Sequence, residues 1–226
     1  TEFVHYSDLP TASFNVITDA QNNQIGGFYP GAMSDAESLS LARWAGQDVL
    51  IVISAHDPTT MRTQVSECQQ YGLRLLYDPG QQVSSLSVED LRAGMDAAEL
   101  LIVNDYELAT LCKKLNTTAE AIKAKTPVVI TTHGEKGSVI EGTKIENPIT
   151  IGSAKPTTVL DPTGAGDAYR GGFLYGYVRG WSVEQSAKLG SVVASFIVEH
   201  HGTQTEIFTP AIIKRYQETY NEEIQL

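Results

Sequence analysis

The sequence predicts a doubly wound α/β fold: a mostly parallel sheet with helices on both faces, preceded by a small β element. Three observations carry this. Apolar runs such as DVLIVIS at 48–54, LLIV at 100–103 and PVVITT at 127–132 are continuous rather than alternating, as in strands covered on both faces. They alternate with stretches of helical period, which is the order of βα units. One stretch, 159–180, reads VLDPTGAGDAYRGGFLYGYVRG: apolar β-formers, a glycine-rich turn, then helix.

The totals agree. A chain of 226 residues builds one good core with room for a small appendage. Apolar content of 42% and charged content of 19% are those of a globular domain, not a disordered chain. A net charge of −11 argues against non-specific binding to nucleic acid or anionic membrane, so neither is expected as a partner. Cys68 and Cys112 lack CxxC or Cys/His spacing, which predicts reduced packing residues in a cytoplasmic protein. No apolar run has the length of a membrane span, and no signal-peptide pattern is visible.

Taken in order, residues 1–33 read as β. Alternation in SFNVIT at 13–18, a polar turn at 19–23 and QIGGFY at 24–29 predict a hairpin. A lone hairpin is marginal in water, so it must pack on something. Phe28 and Tyr29 either pack across the strands or face a ligand. The core is 34–226. Ser34 with Glu37 is a capping box that predicts a helix to about Ala45. Residues 48–54 form a strand, 59–71 a helix ended by Gly72, 73–77 a strand, and Asp78-Pro79-Gly80 turns the chain. Residues 87–97 are helical, 100–103 a strand, 104–115 and 118–125 helical, and 127–132 a strand. Ser138 begins an extended segment, and Pro148 and Pro156 keep 143–158 to short pieces at the sheet edge. Ser182 with Gln185 is a second capping box, opening a helix that ends near His200-His201-Gly202. A last polar helix spans 210–220.

The stretch at 159–180 carries the chemistry. A strand that enters a helix through a glycine turn leaves backbone N–H groups unpaired at the positive end of the helix dipole, a site for phosphate. Asp167 in that first turn would repel the anion. It is either a helix-dipole carboxylate or a group that takes a proton from an attacking hydroxyl while the turn holds the transferred charge. Two other phosphate loops are excluded. Tyr169 stands where the third glycine of G-x-G-x-x-G belongs, and no Walker pattern occurs. Beyond the turn, Ala168, Gly172, Gly176 and Gly180 form a smooth face for close packing. Tyr169, Phe173 and Tyr177 form an aromatic core stripe. Arg170 either neutralises a phosphoryl group or is a surface arginine.

Two further motifs fall at strand ends. Asn104 with Glu107 is a sound N-cap. Thr132, Gly134 and Gly137 shape a turn between strands, with His133 and Lys136 as solvated turn residues.

The run Asp161-Pro162-Thr163-Gly164-Ala165-Gly166-Asp167-Ala168 resembles the C-terminal signature of the ribokinase/PfkB family of sugar and nucleoside kinases. Glu199-His200-His201-Gly202-Thr203-Gln204 is most similar to its bacterial adenosine-kinase-like branch. The resemblance extends over essentially the whole chain and implies a ribokinase-like fold. It implies that Asp167 is the catalytic base and that the amides of Gly164, Ala165 and Gly166 form the anion hole. It implies a nucleotide site at Thr132, Gly134, Gly137 and Gly202, with Asn104 and Glu107 holding Mg²⁺ and phosphate through water. Asp161 and Thr163 match positions that support a monovalent cation such as K⁺. The implied reaction is ATP- and Mg²⁺-dependent phosphorylation of a primary hydroxyl, on adenosine first, with a sugar as alternative. Family members are longer, so the first strands, a Gly-Gly substrate motif and half of the lid are expected outside this chain. A nucleotide-binding fragment, inactive without that segment, is the non-enzyme alternative. Pairing of two subunits through the half-lid is the expected route to a homodimer.

Overall fold

The computed structural model describes residues 6–18, 24–205 and 207–226. The chain divides into two compact units, Thr1–Glu99 and Leu100–Leu226.

In the first unit, β1 (Ser13–Thr18) and β2 (Gln24–Tyr29) pair antiparallel, with Phe14 opposite Phe28 and Ile17 opposite Ile25. The expected turn at 19–23 lies outside the described residues. The helix expected from Ser34 does not form. Gly31–Ser38 is a 3₁₀ segment whose N-cap is Pro30, with no side-chain cap, and a short 3₁₀ turn follows at Ala42–Trp44. The physical reason is packing. Ala36 is the only apolar side chain described as buried between 34 and 45, so no apolar stripe holds an α-helix against a core.

The rest of the first unit follows the expected order of elements, but the run at 48–54 is not covered on both faces: of Leu50–Ile53 only Ile53 is buried and Val52 is 42% exposed. β3 (Leu50–Ile53) and β4 (Arg74–Tyr77) are parallel, from Leu50 opposite Arg74 to Ile53 opposite Tyr77. Between them α1 (Pro58–Tyr71) starts at Asp57, whose side chain accepts from the Thr60 N–H at 2.9 Å, and stops at Gly72. α2 (Val88–Ala97) opens with a reciprocal capping box between Ser87 and Asp90. Met61, Val65, Cys68, Leu75, Leu76, Tyr77 and Leu91 are buried, and a side chain of this size contributes about 1.5–3 kcal/mol when removed from water.

The second unit begins with β5 (Leu100–Asn104), parallel to β6 (Val128–Thr132). Leu100, Leu101, Ile102 and Val103 are all buried, as a strand covered on both faces requires. β7 (Ser138–Glu141) and β8 (Ile149–Ile151) add antiparallel neighbours. α3 (Asp105–Leu115) and α4 (Ala119–Lys123) lie between β5 and β6, and α5 (Ala165–Tyr177), α6 (Val183–Ile197) and α7 (Thr209–Tyr220) complete the unit.

The smooth face of α5 packs on α6. A Cβ on Gly172 would stand 2.9 Å from the Gly190 Cα, and one on Gly190 would stand 2.6 Å from the Tyr169 carbonyl. Only glycines permit that approach. The strand expected at Val159 and Leu160 is absent, and these side chains are 64% and 53% exposed. The Leu160 and Asp161 N–H groups bond the Val198 carbonyl at the end of α6, at 2.8 and 3.3 Å. A helix terminus with unspent carbonyls has replaced a neighbouring strand as their partner.

Candidate active site

The turn before α5 is built by Gly164, whose φ of +83° puts it in the left-handed region at the helix N-cap. Its carbonyl accepts from the Ala168 N–H at 2.9 Å. Glycine is also needed because Thr203 lies against it, its Cβ 3.0 Å from where a Gly164 Cβ would be. Ala165, Gly166 and Asp167 then occupy the first three helical positions, where N–H groups have no intrahelical carbonyl. The Ala165 N–H donates to the Pro162 carbonyl at 3.2 Å, a bond that an anion would compete with. Asp167 is 72% exposed, and one of its oxygens accepts from the guanidinium of Arg170, which is only 21% exposed.

Asp161 clasps this turn to the segment after α6. One oxygen accepts from the Thr163 N–H at 2.9 Å, the other from the Gly202 N–H at 3.2 Å. Hydrogen bonds from the Thr163 hydroxyl, then from the Thr163 and Gly202 N–H groups, hold its carboxyl below the usual carboxylate range.

A second cluster forms at the ends of β5 and β6. Asn104 caps α3, its side chain accepting from the Glu107 N–H at 2.8 Å while Glu107 accepts from the Asn104 N–H at 2.8 Å. Strand register places Asn104 opposite Thr132 and Thr132 opposite Ser138, one row across three strands with side chains on the same face. His133, read from the sequence as a solvated turn residue, has its Nδ1 3.6 Å from the Asp105 carboxylate. The His133 N–H closes the loop on the Gly137 carbonyl at 2.8 Å. Gly137 has φ +90°, and a Cβ there would stand 1.9 Å from the Ile151 carbonyl.

The two clusters are joined by a bond that the sequence reading missed: the Ser138 hydroxyl and the Tyr169 phenol lie 2.9 Å apart, both buried. Thr203 and the Asp105–His133 pair were also missed, since nothing local marks contacts between distant segments. The Asp167–Arg170 pair was missed as well, although its i,i+3 spacing is a local signal that could have found it. A groove of about 600 Å³ lined by Ser153, Lys155, Arg215 and Tyr220 touches none of the predicted site residues.

Among the described residues no group of three or more His, Cys, Asp or Glu side chains converges as a metal cage. Asn104 and Glu107 therefore fit Mg²⁺ only as outer ligands to an ion that keeps most of its waters. Asp161 fits a monovalent cation chemically, since three hydrogen bonds leave part of its carboxylate's acceptor capacity open. Among the described residues no helix is long and apolar enough to cross a membrane.

The profile of the pfkB family carbohydrate kinases matches residues 1–210. The nucleoside kinase of Methanothermobacter thermautotrophicus is 34% identical over 215 residues, covering 93% of this chain and 68% of that protein. The nucleoside kinase of Methanocaldococcus jannaschii is 35% identical over 197 residues, covering 86% and 63%. The chain thus spans about two thirds of the length of these relatives. The structure of Burkholderia thailandensis nucleoside kinase in complex with inosine superposes with a TM-score of 0.85 at 29% identity, covering 96% of this chain and 72% of that one. A Thermotoga maritima ribokinase, at 20% identity and TM-score 0.76 over 94% and 71%, shares the fold. The ribokinase-like α/β fold, with its small antiparallel hairpin, is the fold of this chain, and the chain belongs to the PfkB family of carbohydrate kinases.

Proposed function

We propose that this chain carries the catalytic part of an ATP- and Mg²⁺-dependent kinase that phosphorylates the primary hydroxyl of a nucleoside, adenosine first. The observation that carries the reading is Asp167 at the third position of α5, directly after the Gly164 turn, in a chain 34% identical to a nucleoside kinase. Asp167 accepts the proton of the acceptor hydroxyl as that oxygen attacks the γ-phosphorus. The N–H groups of Gly164, Ala165 and Gly166 hold the charge on the transferring group. Thr132, Gly134 and Gly137 border the nucleotide on one side and Gly202 on the other. Asn104 and Glu107 hold Mg²⁺ through water. Bound Mg²⁺ supplies neutralisation of the phosphate oxygens during transfer. Asp161 and Thr163 serve a monovalent cation beside the hole.

The hairpin is part of a lid. Ile17 and Ile25, opposite one another and 77% and 79% exposed, support its pairing with a second copy of the chain. The free cysteines Cys68 and Cys112 support a cytoplasmic setting.

The test is ADP release by the protein carrying this chain, with ATP and Mg²⁺, across adenosine, inosine, other nucleosides and simple sugars. Turnover on nucleosides is expected. Turnover on sugars alone overturns the acceptor, and nucleotide binding without turnover on any acceptor overturns the kinase reading.

A further inference from the structure

We propose that Arg170 is a further catalytic group, whose guanidinium holds Asp167 between turnovers and then moves to the transferring phosphoryl group. This rests on the kinase reading above. Arg170 sits one turn into α5, and its Nη2 donates to an Asp167 oxygen. Its Nη1 lies 3.6 Å from where a Gly166 Cβ would stand, so the guanidinium flanks both the base and the anion turn.

A cation near a helix N-terminus gains nothing from the dipole. An exposed i,i+3 pair needs no burial, whereas Arg170 is only 21% exposed beside a carboxylate that is 72% exposed. In a chain with net charge −11, a largely covered positive group beside a phosphate-holding turn is placed for an anion. A carboxylate about to take a proton also works best when the neighbouring cation has another partner. The incoming polyphosphate supplies that partner.

In the transfer step the acceptor oxygen bonds to the γ-phosphorus. The bond from that phosphorus to the β,γ-bridging oxygen breaks, with its electron pair leaving on ADP. The hydroxyl proton passes to Asp167. Arg170 stabilises the charge spread over the three non-bridging oxygens and returns to Asp167 when product leaves.

The experiment compares wild type with R170M, R170K and R170A in steady-state turnover, with thermal unfolding measured alongside. R170M is expected to lower kcat about 10²- to 10³-fold, as loss of one preorganised donor does, with KM for the nucleoside little changed. R170K should recover little, because an ammonium lacks the forked geometry. Added guanidinium ion should raise the rate of R170A, a response that a packing role does not give. Near-normal kcat in R170M overturns the proposal, as does a loss that tracks lowered stability with no guanidinium rescue. Absence of turnover by the wild type would instead overturn the kinase reading itself. If R170A does not fold, R170Q, which keeps most of the stem, takes its place in the rescue measurement.

Discussion

The Ser138 hydroxyl and the Tyr169 phenol, 31 residues apart, meet at 2.9 Å inside the protein. Ser138 follows Gly137 of the loop after β6, and Tyr169 follows Asp167 by two positions on α5. The bond therefore fixes the first turn of α5 against the strand row that ends in Asn104 and Thr132. Burial pushes the Tyr169 phenol well above its ordinary pKa, so it stays neutral, and either hydroxyl can donate to the other. Either S138A or Y169F strands a buried polar partner, and each is expected to cost about 1–3 kcal/mol. The double variant should cost less than the sum of the two, read by urea unfolding in a double-mutant cycle. Additivity would show that the two hydroxyls do not interact.

Two glycines of the same loop should respond differently. Gly137→Ala places a Cβ 1.9 Å from a backbone carbonyl at a positive φ, and is expected to destabilise by roughly 2 kcal/mol or more. Gly134→Ala, at φ +57° in open space, should cost only about 1–2 kcal/mol from the left-handed backbone. Thermal unfolding of the two variants gives the ranking, and a reversed order would contradict the steric argument.

Asp167→Asn keeps the size of the side chain and its position on α5. Turnover should fall about 10²- to 10⁴-fold, with nucleotide affinity retained, as for loss of a general base. Calorimetric binding of ATP alongside rate measurement separates the two effects. Normal turnover would remove Asp167 from the proton-accepting role.

Glu107→Gln keeps an acceptor for the Asn104 N–H but removes the charge that, in the proposed function, faces a hydrated cation. The Mg²⁺ concentration for half-maximal rate should rise on the order of 10-fold, the scale of outer-shell partners, while the melting temperature moves little. An unchanged Mg²⁺ dependence would leave the residue as a helix cap alone.

Asp161 sets an acid limit. Its pKa is lower in the folded chain than in the unfolded one, so the unfolded state takes up the proton first as pH falls. The stabilisation is fully present above the ordinary carboxylate pKa of about 4 and is lost as pH drops through the folded value. Asp161→Asn should therefore flatten the stability–pH profile below about pH 4 and leave less difference between the Gly202 amide shifts at pH 3 and pH 6. An Asp161 carboxyl that titrates by NMR at the ordinary value would contradict the clasp.

Much of the fold was legible in the sequence because its signals are local. Asn104 and Ser182 cap helices where their spacing says they should, and Asp57 and Ser87 are further caps that the sequence reading did not name. Gly72 ends α1, and the apolar runs at 100–103 and 127–132 form buried strands, whereas in β3 only Ile53 is buried and Val52 is 42% exposed. The same locality explains the errors. Ser34 with Glu37 has the capping pattern, but of the apolar side chains described between 34 and 45 only Ala36 is buried, so no packed face holds a helix. Val159 and Leu160 have strand chemistry, yet tertiary contacts give their segment the end of α6 as its partner.

What the sequence determined alone was the order of most elements, the caps at Asn104 and Ser182, and the glycine turn before α5. Those depend on periodicity, cap spacing and the conformational freedom of Gly164. What only the tertiary structure decided was which residues meet: Asp161 with Gly202, Gly164 with Thr203, Ser138 with Tyr169, and Asp105 with His133. These contacts join segments distant along the chain. Chain topology, strand register and the close packing of α5 on α6 set them, and no residue's own chemistry encodes its distant partner.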